Sequence, residues 1–99
     1  MTSNIQYVKM PTSEAMSQYV SEKLNKLADK YGWIINADVF FKLENDPAGN
    51  GKICEIELSA PGPKLFAQSK ENNFELAAKK TVSELEIQLK KRKAILRSH

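Results

Sequence analysis

From residue 74 to 96 the chain places Phe74, Ala78, Val82, Leu85 and Leu89 at the spacing of a single helical face, in a stretch of about a quarter of its length. A helix that long with one apolar stripe must lay the stripe against a second layer, so the preceding segments have to furnish an apolar surface. Asn72 stands where an N-cap is needed, with Glu75 three residues on, an Asx form of the capping box. The helix is expected to begin there and to run to about Leu96, with a frayed end beyond.

The segments ahead of it read mostly as strands. Residues 5 to 8 are β-favouring and end at Pro11, after which Thr12 or Ser13 can cap a helix. From residue 14 to 31, Met16, Tyr19, Val20, Leu24, Leu27, Ala28 and Tyr31 follow one helical face, and Gly32 is the expected stop. Residues 34 to 43 form a second strand, with Val39, Phe41 and Leu43 on one face and Asp38, Phe40 and Lys42 on the other. ENDPAGNG then marks a hairpin turn. In the third strand Cys54, Ile56 and Leu58 alternate with Glu55 and Glu57, PGP at 61 to 63 makes the next turn, and residues 65 to 69 give a fourth strand.

The order β-α-β-β-β-α is that of an α+β fold. With a right-handed first crossover, it becomes a four-stranded mixed sheet with two parallel helices on one face. The expectation is one domain over residues 1–99, which buries roughly two-thirds of the surface of its unfolded chain. Cys54 is the only cysteine, which excludes a disulfide framework and suggests a reducing compartment. No apolar run approaches the roughly 20 residues of a membrane span, and the first residues lack the apolar core of a signal peptide. A soluble, cytoplasmic protein without membrane association is expected.

Charge is distributed unevenly. Residues 73 to 99 hold seven Lys or Arg against three Glu, and residues 1 to 72 hold eight against nine. The positive excess therefore sits in the terminal helix, where Lys90, Lys91, Arg92, Lys93 and Arg97 follow one another without an acidic neighbour. Projected at 100° per residue, Lys79, Lys90, Lys93 and Arg97 fall in one arc beside the apolar face, and Lys91 and Arg92 point elsewhere. In the first helix Lys23, Lys26 and Lys30 form a similar stripe, apart from Glu14, Glu22 and Asp29. Lysine is a flexible point charge without planar readout, so paired stripes suit the phosphate backbone of RNA better than base edges. The plain counter-reading is a solvated helix end, with cations at the negative pole of the macrodipole.

The other sheet face offers Asp38, Phe40, Lys42, Glu55, Glu57, Phe66 and Gln68, and its acidity disfavours RNA. An RNA-recognition motif would need glycines and paired aromatics that KLFAQSKENNFELAAK lacks, and a different strand order. Phe40 and Phe66 read as cross-strand packing partners. An enzyme is not indicated: His99 is the only histidine and closes the chain, Cys54 has no activator in sequence, and Glu55 with Glu57 is ordinary strand spacing. Neither a CxxC pair nor a glycine-rich phosphate loop occurs, so no metal or cofactor is expected.

The runs VSEKLNKLADKYGWIINADVFFKLEND, KICEIELSAPG and NNFELAAKKTVSELEIQLKKRKAIL together resemble the ribosome hibernation-promoting factor and sigma-54 modulation family, over about residues 5 to 97. The resemblance implies a stress-induced factor that occupies the messenger and transfer RNA channel of the small ribosomal subunit, contacts its rRNA and inhibits translation. It transfers the family's basic positions to Lys23 and Lys26 in KLNKL and to Lys90, Lys91 and Lys93 in QLKKRK. Lys30, Lys79 and Arg97 come from the projection alone, and Arg92 from the basic run. At Lys79 relatives often carry an acidic residue. The chain resembles the short form, expected to be monomeric when free and to need a separate partner to pair ribosomes. A protein-interaction module acting in sigma-54-dependent transcription is the alternative, and a general double-stranded RNA binder a third.

Overall fold

In the computed structural model residues 1–97 are described; Ser98, His99 and the expectation attached to that terminal histidine lie outside the described residues. Strand β1 (Thr2–Val8) leads to helix α1 (Glu14–Lys30), then to strands β2 (Asn36–Leu43), β3 (Lys52–Ser59) and β4 (Leu65–Glu71), and to helix α2 (Phe74–Arg97). The sheet order is β1-β2-β3-β4, with β1 parallel to β2 and the other neighbours antiparallel. This is the expected α+β fold. Among the described residues no helix is long and apolar enough to cross a membrane.

Alternation along the strands decides which sheet face is covered. Ala37, Val39 and Phe41 of β2, Cys54, Ile56 and Leu58 of β3, and Leu65 and Ala67 of β4 are buried under the helices. The helices answer with Val20, Leu24 and Leu27 from α1 and Ala77, Ala78, Thr81, Val82, Leu85 and Leu89 from α2. Thr81 is wholly buried, and its hydroxyl is satisfied by the carbonyls of Cys54 at 3.1 Å and Ala77 at 2.8 Å. Burying a hydroxyl without a partner costs about 1 to 3 kcal/mol; here the single proton is shared between the helix's own carbonyl and one from β3.

Contacts along the helix pair give its direction. Tyr7 of β1 reaches the start of α1 through Ser13 and Ser17, and its ring stacks on Phe41, which in turn meets Phe74 at the start of α2. At the other end Lys30 meets Glu86, and the Lys93 amine stands 5.8 Å from the Tyr31 ring centre. Both helices therefore start at one edge of the molecule and run the same way.

Local details correct several expectations. The cap of α2 is Asn73, not Asn72: the Leu76 amide donates to the Asn73 side-chain oxygen at 2.7 Å. The helix thus starts one residue later than the capping-box spacing implied. Gly32 does not end α1 through a left-handed turn, since its φ is not positive. The helix stops because Tyr31 leaves helical geometry and turns its ring into the core, edge-on to Trp33. Leu43 shares the strand face of Val39 and Phe41 but is 56% exposed, because it lies beyond the reach of the helices at the mouth of the hairpin. Phe40 and Phe66 are not partners: β3 runs between their strands, Phe40 faces Glu55 and Phe66 faces Glu57.

Candidate nucleic-acid interface

Parallel packing sets the lysine stripe of α1 beside that of α2. An open groove of about 500 Å³ lies between the helices, lined by Lys23, Lys26, Lys30 and Lys79, with Leu27 and Val82 beneath them and Asp29, Ser83 and Glu86 on the walls. Four of the cations expected from sequence are thus brought around one cleft from two helices about fifty positions apart. Lys23 also stands over the Tyr19 ring at 5.1 Å. Such a ring holds an ammonium by its quadrupole and still leaves its N–H donors free for an oxyanion.

Lys30 is different from its neighbours. Its amine donates to Glu86 at 2.8 Å across the groove. The Glu86 hydrogen bond holds the Lys30 pKa above the ordinary lysine value, and the same bond lowers that of Glu86, with Lys90 one turn on adding to the effect. A projection of the cations alone does not show Glu86. The signal was there, since Glu86 precedes Lys90 by four residues and so shares its helix face.

Beyond the groove, Lys90, Lys91 and Arg97 are exposed along the last turns of α2, and Lys93 is half-buried against Tyr31. Among the described residues Lys23, Lys26, Lys79, Lys90, Lys91, Lys93 and Arg97 have no carboxylate within ion-pair distance. Arg92 is turned to another task. Its two terminal nitrogens donate to the Pro61 carbonyl at 2.6 Å and the Pro63 carbonyl at 2.8 Å, clamping the PGP turn to α2. Gly62 at the tip has φ +93, and a side chain there would meet the guanidinium at 3.0 Å.

The opposite sheet face is mixed in charge. Lys42 pairs with Glu55 at 3.0 Å and Lys64 with Glu57 at 2.9 Å, while Asp38 accepts from the Asn4 and Asn36 amides. Phe66 is half exposed there. Cys54, the one thiol, is buried and its pKa is pushed up to about 12 by desolvation, which suppresses the thiolate needed for nucleophilic or metal chemistry. Among the described residues, the groove and the α2 end therefore gather the cations of both stripes that have no ion-pair partner.

Residues 3–97 match the family described as sigma 54 modulation protein / S30EA ribosomal protein. No curated protein sequence matches the chain. Among solved structures, a ribosomal subunit interface protein from Coxiella burnetii superposes with a TM-score of 0.84 at 22% identity, covering 95% of this chain and 99% of that one. The N-terminal domain of Protein Y from Thermus thermophilus gives 0.73 at 24% identity, covering 91% and 93%. At these identities the likeness is one of fold.

Proposed function

Because the chain belongs to the family of sigma 54 modulation and S30EA ribosomal proteins, we propose that it is a ribosome hibernation factor. In this reading it seats on the small ribosomal subunit, in the channel used by messenger and transfer RNA, and inhibits translation by occupying it. The observation that carries the proposal is the convergence of Lys23, Lys26 and Lys79 on one groove, with a second group, Lys90, Lys93 and Arg97, farther along the same helix. Such a surface neutralises phosphates from more than one RNA segment, and a packed domain behind it supplies bulk. The mechanism is steric, with no bond made or broken. The protein acts as a monomer in the cytoplasm, without cofactor.

Co-sedimentation with ribosomes across a salt series tests the proposal. If about five phosphates are neutralised, log affinity falls against log salt with a slope of about −4. Protein that stays at the top of the gradient at every salt concentration rules the proposal out.

A protein-interaction module in sigma-54-dependent transcription is the second reading, favoured by the half-exposed Phe66 beside Glu57 on the open sheet face. RNase treatment separates the two, since a complex built on protein contacts survives it.

A further inference from the structure

The cationic surface is not continuous. Lys23, Lys26 and Lys79 form one cluster at the groove, and Lys90, Lys93 and Arg97 form a second toward the end of α2. Eleven residues separate Lys79 from Lys90, which is about 16 Å along the helix axis. Glu86 stands between them. It takes Lys30 out of the first cluster through the 2.8 Å pair and faces Lys90 of the second from one turn away.

We propose that Glu86 is a specificity-determining residue: it divides the basic track into two phosphate-binding segments, so that folded RNA is favoured over flexible single strands. The inference rests on the reading of this surface as an RNA interface. A flexible polyanion gains most from an unbroken row of cations, along which each phosphate releases a counterion. A carboxylate in mid-row repels the strand where it crosses and leaves Lys30 already neutralised, so the crossing contributes nothing. A folded RNA presents phosphates from separate strands at fixed positions, meets the two clusters independently, and does not place a phosphate at Glu86. The pair is a surface one, with the Glu86 side chain 29% and the Lys30 side chain 63% exposed, so its removal has little effect on folding.

The test compares wild type, Glu86→Gln, Glu86→Asp and Lys30→Met for binding to poly-uridylate and to purified, folded small-subunit RNA over a salt series. Glu86→Gln is expected to bind poly-uridylate about five-fold more tightly at low salt, with a slope steeper by about 0.7, as one more cation joins the track. Its affinity for the folded RNA changes by less than about two-fold, because that ligand bypasses the site. Glu86→Asp keeps the wild-type preference. Lys30→Met leaves the carboxylate unpaired and weakens poly-uridylate binding further. An unchanged poly-uridylate affinity and slope in Glu86→Gln, or an equal gain on both RNAs, overturns the inference. Ribosome pelleting of the wild type is scored separately: its failure removes the proposed function and leaves the comparison of the two RNAs to decide the role of Glu86.

Discussion

The guanidinium of Arg92 donates to the carbonyl of Pro61 at 2.6 Å, and through its other terminal nitrogen to that of Pro63, so a residue from a run of cations holds a turn of the sheet. Charge-assisted bonds to two carbonyls need the planar fork, which lysine lacks. Arg92→Ala is expected to lose about 1 kcal/mol, a drop of roughly 4 to 8 °C in melting temperature for a domain of this size. Arg92→Lys recovers only part of it. Thermal denaturation followed by circular dichroism measures both, and an unchanged melting point in Arg92→Ala would show the clamp to be idle.

The neighbours of Arg92 should behave in the opposite way. Replacing Lys90, Lys91 and Lys93 together by Ala removes charges that no carboxylate meets within ion-pair distance among the described residues. Ribosome affinity is expected to fall at least ten-fold at low salt, with a slope shallower by about 2. Lys90 and Lys91 are exposed and contribute little to folding, so the melting temperature should fall only by the few degrees that the half-buried Lys93 gains from its contact with Tyr31. A large melting loss with intact ribosome binding would identify the run as a helix-end device.

Cys54 links stability to alkaline pH. Burial raises its pKa from 9.0 to about 12, so between those values the folded chain keeps a proton that the unfolded chain has lost. The folded state binds more protons there, and stability falls as pH rises through that window. Chemical denaturation at pH 8 and pH 10 should show a loss for the wild type that is smaller in Cys54→Ala. A thiol reagent at pH 8 should react only on unfolding.

Gly51 closes the hairpin between β2 and β3. A Cβ at this position would lie 1.9 Å from the Glu44 carbonyl oxygen, which is backbone, and the Glu44 amide already donates to the Gly51 carbonyl at 2.8 Å. The strands cannot yield without breaking that bond. Gly51→Ala is expected to cost about 1 to 3 kcal/mol in urea denaturation. Gly32→Ala, at a site with open space around it, serves as the neutral comparison.

Several features are legible in the amino-acid sequence alone. Alternation in β3 separated Cys54, Ile56 and Leu58 from Glu55 and Glu57, and the structure buries the first set. The helical stripe of α1 put Val20, Leu24 and Leu27 in the core for the same reason, since period and burial are set by local geometry. Caps were harder to place. Asn72 and Asn73 both have the chemistry, and the structure uses the second.

Element order, the apolar faces and the excess of cations on α2 follow from the amino-acid sequence, because each depends on residues close together along the chain. The partners of those cations were decided by the tertiary structure. Lys30 meets Glu86, Arg92 meets the PGP turn, and Lys79 joins Lys23 and Lys26, in each case because parallel helices on one sheet face bring distant residues within a few ångströms. Coulomb attraction and hydrogen bonding act over that short range, and periodicity along one element carries no information about what lies across the groove.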